Sequence, residues 1–201
     1  YKDKQLRGRL PDPVFGTLDG LVQVPKSHLW GLEASLLARP VEGLTISLGG
    51  TYIKTKVTEF TGYDAFGVLR NFDGQHFPYA PEFTLTGDAE YKVPVSDRAK
   101  AYFGVSVTHN SSSTTALANT NTTFSNAALS VTADHRFDMK AYTLADLRAG
   151  VEFNGGAIRA GAYIRNVGNT YYWTNTQDTL ASIVRFAGMP RTYGVQVAWR
   201  Y

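Results

Sequence analysis

Tyr193-Gly194-Val195-Gln196-Val197-Ala198-Trp199-Arg200-Tyr201 closes the chain. Tyr193, Val195, Val197, Trp199 and Tyr201 stand at every second position, with Gly, Gln, Ala and Arg between them. A strand turns successive side chains to opposite faces, so this stretch presents one unbroken apolar face ending in two aromatic rings. Pro190, just before it, can begin a strand because its missing N–H need not pair there. Gly188 relaxes the loop that leads in.

The same alternation recurs upstream. Trp30–Ala38, Leu44–Tyr52, Phe83–Val93, Ala101–Val107, Ala145–Phe153 and Ile158–Ile164 each carry apolar residues or Gly at every second place. A further strand opens the chain, roughly Tyr1 to Gly8. None of the apolar-face positions is charged. The alternate positions hold Glu33, Arg39, Asp88, Glu90, Lys92, Asp146, Arg148, Glu152, Arg159, Arg165 and Arg200. Random facing would segregate the charges this cleanly about once in 64 trials. Alternation alone also suits a soluble sandwich, which hides one face of each sheet.

The connections separate the two. Pro40–Gly43, Pro94–Arg98 and Asn154–Gly156 are tight, and Asn154-Gly155 predicts a two-residue hairpin with positive φ at both turn positions. Arg9–Val22, Thr58–Pro81, Asn110–Lys140 and Gly168–Pro190 are long. Long and short alternate strictly, which in an antiparallel meander puts every long loop at one end. Outer-membrane barrels have this asymmetry, with short periplasmic turns and long extracellular loops. With the long loops outside, Trp30, Tyr52, Phe83 and Tyr193 fall at the outer end of the apolar face. Tyr91, Phe103, Phe153, Trp199 and Tyr201 fall at the inner end, and small aliphatics lie between. Two aromatic belts around an aliphatic band match the two water–lipid interfaces. Lys54 and Lys56 share the parity of Tyr52 but lie beyond it, where the strand is already in water.

Composition narrows the function. No apolar run approaches the ~20 residues of a spanning helix, which leaves a barrel untouched. A net charge of +3 spread along 201 residues gives no footprint for nucleic acid. Cysteine is absent, which excludes disulfides, thiolate metal sites and a Cys nucleophile. His28, His76, His109 and His135 are scattered without metal-ligand spacing, and no Gly-x-Ser-x-Gly elbow or phosphate-cradling Gly loop occurs. Neither a cofactor nor a metal is expected. The opening Tyr1-Lys2-Asp3-Lys4, without Met or a signal peptide, reads as a processed, trimmed or partial chain.

Several stretches resemble the TonB-dependent receptors, gated outer-membrane importers of Gram-negative bacteria. They are Gly31-Leu32-Glu33 followed by Pro40-Val41-Glu42-Gly43-Leu44, and Tyr79-Ala80-Pro81-Glu82 before a strand. Arg165-Asn166-Val167-Gly168-Asn169-Thr170-Tyr171-Tyr172 resembles the family's late Asn-Leu-Phe-Asp-x-x-Tyr stretch, with Val167-Gly168 in place of Leu-Phe. Gly188-Met189-Pro190-Arg191-Thr192-Tyr193-Gly194, running to Tyr201, looks like the closing strand, with Tyr for the commoner Phe. The resemblance implies an all-β antiparallel transmembrane barrel. Residues 1–201 would be the C-terminal part of a 22-stranded barrel around a plugged lumen, about its last eight strands. Plug, TonB-contacting segment and earlier strands would lie outside this chain. It implies TonB-dependent import of a scarce ligand of siderophore type, with no enzymatic step.

Site expectations follow. Glu33, Asp88, Glu90, Asp146, Arg148, Glu152, Arg159, Arg165 and Arg200 line the lumen, where such residues of the family contact the plug; a simply solvated wall would look the same. Tyr63, Phe66, Arg70, Phe72, His76 and Tyr79, in an aromatic outer loop, are candidates for ligand contact, because aromatics give contact area at low entropy cost. Tyr193, Val195, Val197, Trp199 and Tyr201 resemble the signal read by the barrel-assembly machinery. The expected partners are outer-membrane lipid, the TonB complex, that machinery and a small-molecule ligand. Asn110–Ser130, nearly all Ser, Thr, Asn and Ala, reads as a solvated loop. A passive porin or small closed barrel is the main rival, followed by a barrel enzyme and a soluble sandwich adhesin.

Overall fold

A computed structural model describes residues 2–14, 16–63, 69–117, 123–126, 129–132, 137–179 and 182–200. Eight long strands form one antiparallel meander. They are β1 (Lys2–Asp12), β2 (Gly16–Ala38), β3 (Leu44–Glu59), β4 (Phe83–Ser96), β5 (Ala99–Asn110), β6 (Tyr142–Phe153), β7 (Ile158–Arg165) and β8 (Thr192–Trp199). Each pairs with its chain neighbour, and β8 ends the sheet on one side. On the other side the short strands Thr61–Tyr63 and Leu69–Asn71 continue the sheet beyond the tip of β1, through the single pair Arg9 with Tyr63.

The registers bring the outward apolar positions into rows. Leu36 faces Leu48, Leu48 faces Gly87, and Gly87 faces Val107. These side chains are exposed, Leu32, Leu36, Phe103 and Val195 among them. This inverts the soluble pattern, in which such residues are the ones most often buried. At the long-loop end, Trp30 packs edge-on to Tyr52 at 5.2 Å, and Tyr52 meets Phe83 at 4.6 Å. At the short-turn end Tyr91 stands directly opposite Phe103. Three neighbouring strands thus carry one outer aromatic ladder, as the belts predict.

The short turns hold, with two changes of detail. Gly43 takes φ +82, and the β4–β5 turn is only Asp97-Arg98, since Pro94 is still paired to Lys100 beside a bulge. At Asn154 the expected positive φ is present (51 at Asn154, 68 at Gly155), but Phe153 pairs with Ile158. The connection is therefore four residues rather than two, with Gly156 also at positive φ (94) and Ala157 helical.

The outer connections differ more. Arg9–Val22 is not a loop: β1 and β2 run on as a hairpin that turns around Pro13-Val14. A spanning strand needs about 9–11 residues, so roughly half of the 23-residue β2 stands beyond the membrane. Part of the Asn110–Ser130 segment is also ordered, with Thr123–Asn126 paired to Leu129–Thr132. Trp173–Thr179 pairs with Ser182–Ala187 in a further hairpin.

Beyond the outer belt the burial of the strands changes. Trp30 and Leu32 of β2 are exposed, yet Val22 and Val24, of the same parity, are buried. The period breaks at a bulge where Lys26 pairs with Glu59 but Ser27 pairs with Val57, leaving Thr58 as the extra residue. The extra residue turns Phe60 to the face on which Val57 already stands. Val22, Val24, Val57, Phe60, Phe72, Phe77 and Leu117 meet in one apolar cluster, with Leu6 and Ala80 against it.

Candidate functional site

Two regions collect the candidate residues: the inward wall of β4 to β7 and the segment that packs over the outer ends of β1 to β3.

On the wall, Arg148 of β6 reaches across β5 to β4. Its Nη1 and Nη2 donate to the two carboxylate oxygens of Asp88 at 2.8 and 2.9 Å, and its Nε to Glu90 at 3.1 Å. Ser106 donates to Asp88 at 2.6 Å and accepts from Arg148 at 2.9 Å. Arg159 of β7 donates to Glu90 and Glu152, both at 2.8 Å. Lys92 completes the chain on Glu152, at 2.8 and 2.9 Å from its two oxygens. Asp88, Glu90 and Glu152 are thus matched by Lys92, Arg148 and Arg159, and each carboxylate touches at least one cation. Bidentate Arg–carboxylate pairs fix geometry as well as adding energy, so this lattice cross-links four strands on the water side.

Tyr102 lies beneath it, fully buried, with the Arg159 guanidinium 3.7 Å above its ring. The ring has room only because its neighbours are glycines. A Cβ at Gly150 or Gly161 would sit 2.6 or 2.1 Å from the Tyr102 hydroxyl. Arg148 likewise lies over Gly104, and Tyr163 over Gly194.

The other wall candidates stand apart from the lattice. Glu33 borders a separate open groove of about 270 Å³ with Ser35, Gly49, Thr51, Thr84 and Thr86. Asp146 accepts the backbone N–H of Asn166 at 2.8 Å, a structural role at the end of β7. Arg165 stacks toward Tyr163 at 5.1 Å, and Arg200 lies past the end of β8, its N–H bonded to Ala157 O. Lys92 and Tyr102 belong to the lattice although they were not among the expected site residues. Lys92 stands on the charged face, and Tyr102 is marked only by the glycines opposite it. With the acids occupied by cations, no group of His, Asp or Glu suited to a metal occurs among the described residues.

In the outer segment, Phe72 is fully buried and stacks on Phe60 at 5.4 Å, so it packs the loop rather than facing solvent. Backbone bonds pin the segment to β3: Phe72 N–H to Phe60 O, Gly74 N–H to Val57 O and Val57 N–H to Gln75 O, each at 2.8 Å. Phe77 N–H adds a bond to Thr55 Oγ1 at 2.9 Å. Tyr63 and Arg70 are half-buried in the short hairpin, and His76 is exposed. Tyr79, 48% exposed and at φ +56, donates its hydroxyl to Asn175 Oδ1 at 2.6 Å, latching this segment to the Trp173 hairpin. Phe66 lies outside the described residues. In the closing strand Tyr193, Val195, Val197 and Trp199 are all over 70% exposed, at 82, 83, 75 and 73%. Tyr201 lies outside the described residues.

The β-barrel model of the TonB dependent receptor-like family matches residues 1–167. The chain belongs to the TonB-dependent receptor family. The receptor barrel is therefore a protein of the Gram-negative outer membrane, in a family of receptors and not of enzymes. Solved structures agree on the fold. The ferric yersiniabactin uptake receptor FyuA from Yersinia pestis superposes with a TM-score of 0.67 at 15% identity, over 89% of this chain and 24% of its own. BauA, the ferric preacinetobactin receptor of Acinetobacter baumannii, gives 0.61 at 21% identity, over 98% and 25%. The ferric-catecholate import receptor Fiu from K12 E. coli gives 0.61 at 16% identity, over 94% and 22%. The chain spans about a quarter of the length of these receptors. Among curated proteins none matches it.

Proposed function

We propose that this receptor barrel serves TonB-dependent import of a ferric siderophore or similar scarce ligand across the outer membrane. The observation behind the ligand class is that the three receptors above are each named for a ferric ligand. In this reading the plug, the TonB-contacting segment and the remaining strands belong to other parts of the protein. Exposed His76 and Tyr79, with half-buried Tyr63 and Arg70, present the ligand-facing surface, and Phe72 holds it in place. The wall residues are divided. The lattice is satisfied within itself, so the plug would meet the Glu33 groove and Arg165 more readily than Arg148 or Arg159. The exposed outward row Tyr193, Val195, Val197 and Trp199 suits recognition by the assembly machinery.

The test is uptake of labelled ferric siderophores by cells grown under iron restriction. Uptake should vanish on deletion of the full-length gene and on inactivation of TonB. Uptake that persists without TonB would instead mark a passive pore.

Contact of the outward face with lipid gives a second test. Val105 faces outward in the row Ala89–Val105–Leu147, near mid-height, whereas Thr86 points to the inward groove. Val105→Arg should lower stability by about 2–4 kcal/mol and cut the yield of folded receptor in lipid. Thr86→Arg should leave it near wild type. Equal losses in a lipid-folding assay would refute this facing.

A further inference from the structure

We propose that Tyr79 ties three of the outer connections into one pre-organised unit, with Asn175 as the positioning residue that holds it there. Tyr79 lies near the end of the 58–81 connection, which backbone bonds at Gly74 and Gln75 already fix to Val57 of β3. Its backbone N–H donates to Thr114 O at 2.8 Å, in the 110–140 connection. Its hydroxyl donates to Asn175 Oδ1 at 2.6 Å, in the 168–190 connection. Both accepting segments are themselves anchored. Thr114 pairs with Asp138, and Thr115 N–H donates to Phe137 O at 2.9 Å. Asn175 stands in the Trp173 hairpin, where the register shifts between Trp173 and Asn175, and bulges re-aim the side chains beside them.

The backbone explains why the two bonds depend on each other. Tyr79 takes φ +56, a left-handed conformation unfavourable for a side chain of this size. Strain of this kind persists only where the surroundings hold it. The amide bond and the phenol bond both act on this one residue. Losing the phenol bond leaves the strain less opposed, which favours release of the Thr114 bond as well. The 110–140 and 168–190 connections are therefore coupled through Tyr79. Loops ordered before a ligand arrives lose less freedom on binding it. That use in capture rests on the ligand-facing reading of this segment, whereas the coupling is a property of the protein without ligand.

The test is amide hydrogen exchange of the full-length, ligand-free receptor in phosphatidylcholine nanodiscs. Tyr79→Phe keeps the ring and loses the donor. It should speed exchange about fivefold, the effect of one hydrogen bond, both in Trp173–Thr179 and in residues 113–115. Asn175→Ala should do the same in both segments. Asn175→Asp keeps an accepting oxygen and should restore wild-type exchange. Tyr79→Gly takes φ +56 without strain, so it should loosen Trp173–Thr179 yet spare residues 113–115. The proposal is overturned if Tyr79→Phe or Asn175→Ala loosens only Trp173–Thr179 or neither segment. It is also overturned if Asn175→Asp behaves like alanine, or if Tyr79→Gly loosens residues 113–115 as much as Tyr79→Phe. Siderophore uptake plays no part in these rates, so the import reading can fail while the coupling stands.

Discussion

Gly161→Val should nearly abolish folded receptor. The wall of β5 to β7 leaves no space at this position. A Cβ on Gly161 would lie 2.1 Å from the Tyr102 hydroxyl and 2.6 Å from the backbone oxygen of Ala149. The first contact could be relieved by moving Tyr102, but that ring is fully buried under Arg159. The second is with the paired strand itself, so relief means parting β6 from β7. Overpacking usually costs about 1–3 kcal/mol, and a branched side chain against a fixed backbone should reach the top of that range or pass it. The yield of heat-modifiable, folded barrel on electrophoresis is the readout. Gly168→Ala, whose Cβ would meet only Thr170 Oγ1 at 3.5 Å, is the tolerated control. Adding Tyr102→Ala should recover part of the loss, since it empties the space the valine needs. A Gly161→Val receptor with wild-type yield would show that the tyrosine-over-glycine packing does not constrain the wall.

Asn166→Ala is the second large effect, about 3 kcal/mol. Asn166 is 4% exposed and sits at φ +50. Its Nδ2 donates to Thr170 O at 2.9 Å and Met189 O at 3.1 Å, while its Oδ1 accepts Thr170 N–H at 2.8 Å. One side chain therefore closes its own turn and holds the entry to β8. Alanine loses all three bonds and also takes a left-handed backbone, which costs about 1–2 kcal/mol by itself. Orphaned buried polar groups add about 1–3 kcal/mol. Asn166→Asp keeps the acceptor and the tolerance of positive φ but not the donors, so it should lose about half as much. Midpoints of urea unfolding in lipid report both. A loss below about 1 kcal/mol for alanine would show that the turn is held by other bonds.

The strand faces were legible because a barrel wall leaves a two-residue period that turn lengths and aromatic placement confirm. Leu32, Phe103 and Val195 stand outward as their parity requires. Three features escaped. Arg9–Val22 looked like a loop because Pro11, Asp12 and Pro13 dominate it, yet β1 and β2 pair through it on either side of a tight turn. Phe72 reads as a surface aromatic because nothing in its own segment names Phe60, twelve residues away, as the ring it stacks on. The partners of Arg148 were beyond reach for a different reason. The charged face follows from parity, but a guanidinium that skips β5 to reach Asp88 depends on register across three strands. Parity names a residue's side and says nothing of its neighbour two strands away.

The outer aromatic belt divides the molecule by solvent. Below it, apolar side chains look outward to hydrocarbon, which is as apolar as they are. Above it, Val22, Val24, Val57, Phe60, Phe72, Phe77 and Leu117 are shielded from water. Only the second group carries the heat-capacity signature of burial from water. The outer end of this membrane protein should therefore lose stability on cooling and in urea as a small globular domain does, while the band beneath it is governed by the bilayer.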